Sequence, residues 1–311
     1  MKEFDFIRTL KKLSPLPWER TVGNDSAFFK LKHKRGLISK DILLEDQHFF
    51  SSIPADALAY KSLAVNISDI VSDGGTPRAF LIGLGASSNH FSILSALFES
   101  LYKYARQWNI PIIGGDTVYS DKLLLSITCL GDAPQNPWFR KNARLGDYLY
   151  ITGTLGSSAW GLSKIPTLGH ELSDPHIKRH LYPPLYLDFP SLFKNKIHAA
   201  IDISDGFYQD LTHLLEESNL SAVITPETLP LDPSLPPEAK NTALRGGEDY
   251  ELLFASPLAP SSRRWPPNLQ KIPIAPIGKI INQPGGKIFL QKDDKLVLLN
   301  NIDLLKGFDH W

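Results

Sequence analysis

The sequence predicts an α/β fold in two domains, and three observations carry that prediction. Short apolar runs of strand character alternate with helices of 3.6-residue periodicity. The two halves share one local design, an apolar strand start, an acidic turn and then an amphipathic helix. With 311 residues and 42% hydrophobic content, the chain can bury a sizeable core and is long enough for two domains. The polar, proline-containing segment 131–146 reads as the boundary, giving domains at 1–133 and 147–311 with 134–146 as a linker.

Taken in order, residues 1–14 form a short helix through Phe6, Leu10 and Leu13, stopped by Pro15 and Pro17. GNDSAFF at 23–29 is either an Asx-type turn or a ligand loop. Residues 36–50 read as a strand whose Ser39, Lys40 and Asp41 mark a site or a sheet edge. A helix follows over 56–77, with Asp56 as its expected N-cap and Gly74, Gly75 and Pro77 as its stop. Ala59, Leu63, Ile67 and Ile70 make its apolar stripe, and Ser62, Asn66, Asp69 and Asp73 make a second, polar one. That polar stripe is either solvated surface or a site.

Residues 79–84 form a strand and 91–108 a helix that packs through Leu94, Leu97, Phe98, Leu101, Tyr104, Ala105 and Trp108. A strand at 110–113 is expected to end in Gly114, Gly115, Asp116 and Thr117, placing a carboxylate at its tip. Residues 123–130 are a further strand. The second half opens with strand 148–152 and GTLGSSAWGL, a helix start that either offers N–H groups to an anion or is structural punctuation. AAIDISDGFYQDLTHLL at 199–215 is a strand, then Asp202, Ser204 and Asp205, then a helix burying Phe207, Leu211, Leu214 and Leu215. RGGEDYELLFAS at 245–256 reads as a glycine turn and a strand opening with three acids, which a purely structural role explains poorly.

Thirty-three Lys and Arg balance thirty-three Asp and Glu, so no net field draws the chain to nucleic acid or an acidic membrane. A small-molecule partner is expected. The single cysteine, Cys129, lies in an apolar run and excludes an internal disulfide. No apolar stretch is long enough for a membrane span or a signal core, so a cytoplasmic address is expected. Asp25, Asp41, Asp69, Asp116, Asp202 and Asp205 stand at turns, strand tips or a helix face, with no zinc-type Cys or His spacing. Such hard oxygen donors suit Mg²⁺, the usual partner of a nucleoside triphosphate, yet GxxxxGK[ST] and the protein-kinase motifs are missing.

GNDSA, SKD at 39–41, HF at 48–49, AYKSLAVNISDI, GGDT, GSSAWGL, DISDGF, GGEDYELLF and KGFDH follow one another from about residue 20 to 309. In this order they resemble the thiamine-monophosphate kinase family, within the superfamily of aminoimidazole-ribonucleotide synthetase and selenophosphate synthetase. The resemblance implies an N-terminal mixed sheet with helices that forms a barrel with a second subunit, a C-terminal α/β domain, and hence a homodimer. It implies ATP and several Mg²⁺ ions in a cleft lined by Asp41, Asp69, Asp116, Asp202 and Asp205, with thiamine monophosphate as acceptor. Asn24, Asp25, Ser39 and Lys40 complete the implied metal set. Gly115, Asp116, Arg140 and Ser204 would meet the nucleotide, and His48, Glu248 and Phe308 the thiamine phosphate. A carboxylate and an aromatic face suit a cationic thiazolium and an aminopyrimidine.

Three positions depart from the family pattern. Asn24 stands where an aspartate is usual, Lys40 where Thr is common and Asp73 where an apolar side chain is usual. Lys40 beside the metals could offset the charge changed at Asn24. Another ATP-dependent enzyme of the superfamily, or an ATP-binding protein without turnover, would share the carboxylates.

Overall fold

In a computed structural model, described for residues 36–240, 242–266, 272–293 and 295–299, the chain has a mixed α/β fold with two sheets and flanking helices. It divides into two compact units. The first comprises 1–70 and 75–133, the second 71–74 and 134–311. The expected helix at 1–14, the loop 23–29 with Asn24 and Asp25, and Phe308 lie outside the described residues.

The first unit holds a four-stranded sheet of β1 (Gly36–Leu44), β4 (Leu124–Asp132), β2 (Thr76–Ala86) and β3 (Ile112–Tyr119), in that spatial order. Only the β2–β3 pair is parallel. Strand β1 alternates as its sequence requires. Leu37, Ser39, Asp41 and Leu43 are covered, while Ile38, Lys40 and Ile42 are exposed. Among the described residues β1 pairs only with β4, so its charges stand at the edge of that sheet.

Helix α1 (Ala55–Ser72) supplies much of the core through Leu58, Leu63, Ile67 and Ile70. Its polar stripe is no solvated face, because Ser62 and Asn66 are fully buried. Such a helix, covered nearly all round, belongs to the interior. Asp56 lies in the first turn and is not the N-cap. Its carboxylate accepts from Tyr104 Oη at 2.6 Å and Lys103 Nζ at 2.5 Å, tying it to helix α2 (Phe91–Gln107). The C-terminus closes as expected, with Gly74 at φ +76, Gly74 N donating to Val71 O and Gly75 N to Ile70 O.

The second unit holds a seven-stranded sheet: β11 (Lys295–Leu298), β10 (Ile288–Lys292), β7 (Ser221–Ile224), β9 (Ile274–Ile281), β5 (Tyr148–Thr152), β8 (Leu252–Ser256) and β6 (Ala199–Asp202). Helices α3 (Ser157–Leu168), α4 (Pro175–Leu181), α5 (Phe189–Leu192), α6 (Phe207–Glu217) and α7 (Pro237–Lys240) complete it. Phe207, Leu211, Leu214 and Leu215 of α6 are all fully buried in one cluster with Leu149, Ile201 and Leu253. Each contributes roughly 1.5–3 kcal/mol of burial. The segment after residue 133 is folded into this unit, with buried Trp138 packed edge-on against Phe189 at 6.0 Å.

Candidate functional site

In the first unit, β1 and α1 bring Ser39, Asp41 and Asp69 together. Ser39 Oγ donates to Asp69 Oδ2 at 2.9 Å, and the Asp41 backbone N–H donates to Asn66 Oδ1 at 3.2 Å. Asn66 Nδ2 is anchored on Ser62 O at 3.0 Å, so the buried amide is the strut that sets β1 against α1. Both carboxylates lie near Cys129, which is paired with Ser39 across β1 and β4. Burial first, then Asp69 and Asp41, push its thiol far above the ordinary range. That thiol is inert packing.

Lys40 is not part of this group. A one-residue step along a strand turns the side chain to the other face, and Lys40 Nζ donates to Ser126 Oγ at 2.6 Å. Its ammonium thus lies on the face of β1 opposite to Ser39 and Asp41. Asp116 is also placed differently from its expected strand tip. Strand β3 runs on to Tyr119, so Gly115 and Asp116 lie inside it, on the edge opposite β1. The close approach that Gly115 permits is by the neighbouring backbone, since a Cβ there would sit 1.9 Å from Ile82 O. Asp116 is exposed, with Oδ1 accepting from Thr117 N at 2.8 Å.

His48 sits in a turn closed by Glu45 and Phe49. Leu44 N donates to its Nδ1 at 3.0 Å, so that nitrogen is an acceptor and the ring proton of the neutral form resides on Nε2. Glu45 fixes the turn by accepting from Leu123 N at 2.8 Å, and His90 Nε2 lies 3.1 Å from the same oxygen.

In the second unit, β6 leads to Asp202, Ser204 and Asp205 ahead of α6. Neither Ser204 nor Asp205 caps that helix. Asp210 reaches back from its first turn and accepts from Ser204 N, Asp205 N and Gly206 N, each at 3.1 Å. Burial, then Asp202 and Asp205, raise its carboxyl to about 8 against the pull of those N–H groups. Asp73 belongs to the same unit. Burial raises it to about 6, Arg140 opposes that and Asp202 adds to it. Asp202 is itself buried, whereas Arg140 is exposed.

Sequence reasoning left Asp210 out, although an acid in the first turn after a glycine is a recognisable back-bonding signal.

The glycine-rich start of α3 is occupied by the chain itself. Buried Asp249 accepts from Gly156 N at 2.8 Å and from Ser158 N at 3.4 Å, so the anion at this helix start is an internal one. Asp249 is raised to about 7, by burial first. Glu251 is buried too, bonded by Arg179, Thr152 and Tyr186. Two of the three acids in GGEDYEL are therefore structural, and β8 starts only at Leu252.

The third acid, Glu248, is 27% exposed at its side chain and stands at φ +64. Gly246 and Gly247 allow this loop to close on its neighbours, since a Cβ would sit 2.2 Å from Ala159 Cβ and from Ser204 O respectively. Glu248 N donates to Ser204 O at 2.8 Å, joining the loop to the turn after β6. Arg245, just before it, has a buried Nε with no hydrogen-bond partner among the described residues.

The donor set suits a hard cation. The carboxylates are oxygen donors, with Asp41 and Asp69 around Ser39 and Asn66, Asp116 on β3, and Asp202 and Asp205 at and after the end of β6, and among the described residues no three acid, His or Cys side chains converge on one point. Mg²⁺ commonly takes one or two protein carboxylates and fills its octahedron with phosphate oxygens and water.

The family model for AIR synthase related protein, N-terminal domain, matches residues 23–133. The chain is 34% identical over 330 residues to the thiamine-monophosphate kinase of Haemophilus influenzae, covering 100% of this chain and 98% of the relative. It is 32% identical over 333 residues to that of Bacillus subtilis, covering 100% of each. Among solved structures, a thiamine-monophosphate kinase from Stenotrophomonas maltophilia matches with a TM-score of 0.79 at 28% identity, covering 92% of this chain and 95% of that one. AaThiL complexed with AMPPCP and TMP matches with a TM-score of 0.74 at 28% identity, covering 96% of both.

Proposed function

This chain belongs to the thiamine-monophosphate kinase family, and from that premise we propose how its own residues carry out the family's reaction. It transfers the γ-phosphoryl group of ATP to thiamine monophosphate, giving thiamine diphosphate and ADP. A phosphate oxygen of the substrate forms the new P–O bond. The bond from the γ-phosphorus to the β–γ bridging oxygen breaks, and its electron pair leaves with ADP. A phosphate monoester with a second pKa near ~6 is largely ionised at neutral pH, so no general base is required. In-line positioning and charge stabilisation then supply the catalysis.

Asp41, Asp69, Asp116, Asp202 and Asp205 would hold magnesium, helped by Ser39 and by Asn24 and Asp25. Bound magnesium supplies the positive charge that lets two polyanions approach. Within the first unit, Ser39 holds the Asp69 carboxylate and Asn66 the backbone at Asp41. Gly115 of the first unit and Arg140 and Ser204 of the second serve the nucleotide, and Arg245 Nε, buried without a hydrogen-bond partner among the described residues, supports an anion beside the loop that carries Glu248. His48 Nε2–H is the donor for the substrate phosphate, with its tautomer set by Leu44 N. Glu248 and Phe308 meet the cationic thiazolium and the aminopyrimidine.

The observation that carries the reading is that Ser39 Oγ holds the Asp69 carboxylate of α1 and the buried Asn66 amide holds the backbone at Asp41, which brings Asp69 to the covered side of β1 that carries Asp41. ATP as co-substrate supports a cytoplasmic location. A homodimer is supported by the exposure of Ile38 at 72%, Ile42 at 49% and Val118 at 66% on one sheet.

The test is magnesium-dependent formation of thiamine diphosphate from thiamine monophosphate and ATP, with Asp69→Ala beside the wild type. Product from the wild type alone supports the assignment; equal product from both removes Asp69 from it.

A further inference from the structure

Helix α4 carries His176 and His180 one turn apart, both buried, and the phosphoryl transfer described above uses neither. Consecutive serines at the start of α3 meet them. Ser157 Oγ lies 2.8 Å from His176 Nδ1, and Ser158 Oγ lies 3.1 Å from His180 Nδ1. Each histidine also faces a carboxylate, and here the two diverge. His176 Nδ1 is 3.8 Å from Asp232 Oδ2, whereas His180 Nδ1 is 3.4 Å from Glu248 Oε2. Asp232 is engaged in its own turn, accepting from Ser234 N at 2.9 Å and from Ser234 Oγ at 2.6 Å. Glu248 instead leaves a quarter of its side chain to solvent on a left-handed backbone.

We propose that His180 is a positioning residue for Glu248, aiming its carboxylate at the cationic, amine-bearing part of thiamine monophosphate and thereby setting affinity for that substrate but not for ATP. This rests on the substrate role proposed above for Glu248. A glutamate has three rotatable side-chain bonds, and an unheld carboxylate must be ordered when substrate arrives. His180 does that ordering in advance. It is able to because its ring is buried and held by Ser158, so one carboxylate oxygen meets a fixed nitrogen. His176 has the same kind of seat without a link to Glu248, which makes it an internal control.

Steady-state kinetics with each substrate varied test this in Glu248→Gln, His180→Leu, His180→Asn and His176→Leu. His180→Leu should raise KM for thiamine monophosphate about tenfold, the effect of leaving the Glu248 side chain to be ordered when the substrate binds. KM for ATP should stay within about twofold. His180→Asn, which returns a polar nitrogen near the Nδ1 position, should recover most of the loss. His176→Leu should lower the denaturation midpoint and leave both KM values alone. An unchanged KM after Glu248→Gln would overturn the substrate role of Glu248 and the proposal with it. A raised KM in Glu248→Gln with none in His180→Leu would overturn the positioning role alone. Should His180→Leu fail to fold, His180→Asn against His180→Gln decides. A raised KM only in the Gln variant, whose amide is displaced from Nδ1, supports the proposal, and equal KM values refute it.

Discussion

Replacing Arg179 with Met removes the cation from Glu251 in the interior of the second unit. Glu251 has a side chain only 1% exposed, and Arg179 also donates to Asp249 O at 3.3 Å. Breaking a buried ion pair from one side costs about 3–5 kcal/mol. Thr152 Oγ1 and Tyr186 Oη remain on Glu251 Oε2, each at 2.5 Å, which places the expected loss near the lower figure, about 3 kcal/mol.

The pH dependence has a definite sign. Burial already holds the Glu251 carboxyl above its usual 4.5, and Arg179 opposes that rise. Without the guanidinium the folded-state value climbs further. A carboxyl raised on folding contributes stability below its unfolded value and loses that contribution as pH rises through the folded one. Urea denaturation followed by tryptophan fluorescence should therefore show a smaller loss for Arg179→Met at pH 5 than at pH 8. Adding Glu251→Gln removes the stranded charge and should recover part of the stability at pH 8. Equal losses at both pH values, with no recovery in the double variant, would refute the account of Glu251 as a buried, charge-compensated group.

Asp69→Asn should lower kcat by on the order of 100-fold while the urea midpoint stays close to wild type, because the amide still accepts from Ser39. Lys40→Ala should leave the magnesium concentration for half-maximal rate unchanged, as the ammonium sits on Ser126; a clear shift in that concentration would return Lys40 to the metal set. Wild type should lose stability relative to Asp249→Asn as pH rises from about 4 to about 7, by about 4 kcal/mol, since Asp249 is raised from 3.8 to about 7. Parallel urea curves across that range would show that the Asp249 carboxyl keeps its ordinary titration. Sedimentation should give a dimer for wild type and a monomer for Ile38→Asp, and a monomeric wild type would rule the association out.

The fold was legible where periodicity is local. Strand β5 and helices α2 and α6 fall where their apolar spacing places them. The strand alternation around Ser39 and Asp41 was also readable, yet its corollary for Lys40 was not drawn, because a motif groups neighbours that a strand separates. What stayed hidden was chemistry completed by distant residues. Asp249 looks like a ligand until the N–H groups of Gly156 and Ser158 are brought to it from 93 and 91 residues away. Gly115 likewise reads only as an opening for a ligand, whereas the strand itself needs a glycine there because Ile82 O lies 1.9 Å from where a Cβ would stand. Asn66, fully buried, is a third case, since only β1 reveals what its amide is for.

The two-sided character of β1 sets which genetic changes the chain tolerates. Its odd positions hold Ser39 and Asp41 and its even positions hold Ile38 and Ile42, so the strand has a phase as well as a composition. Point substitutions on one side leave the other alone. Loss or gain of one codon between Gly36 and Ser39 would turn both sides over at once, carrying the carboxylate outward and an isoleucine in. A second codon lost or gained nearby would restore the phase. Length variation in this strand should therefore be inherited in steps of two.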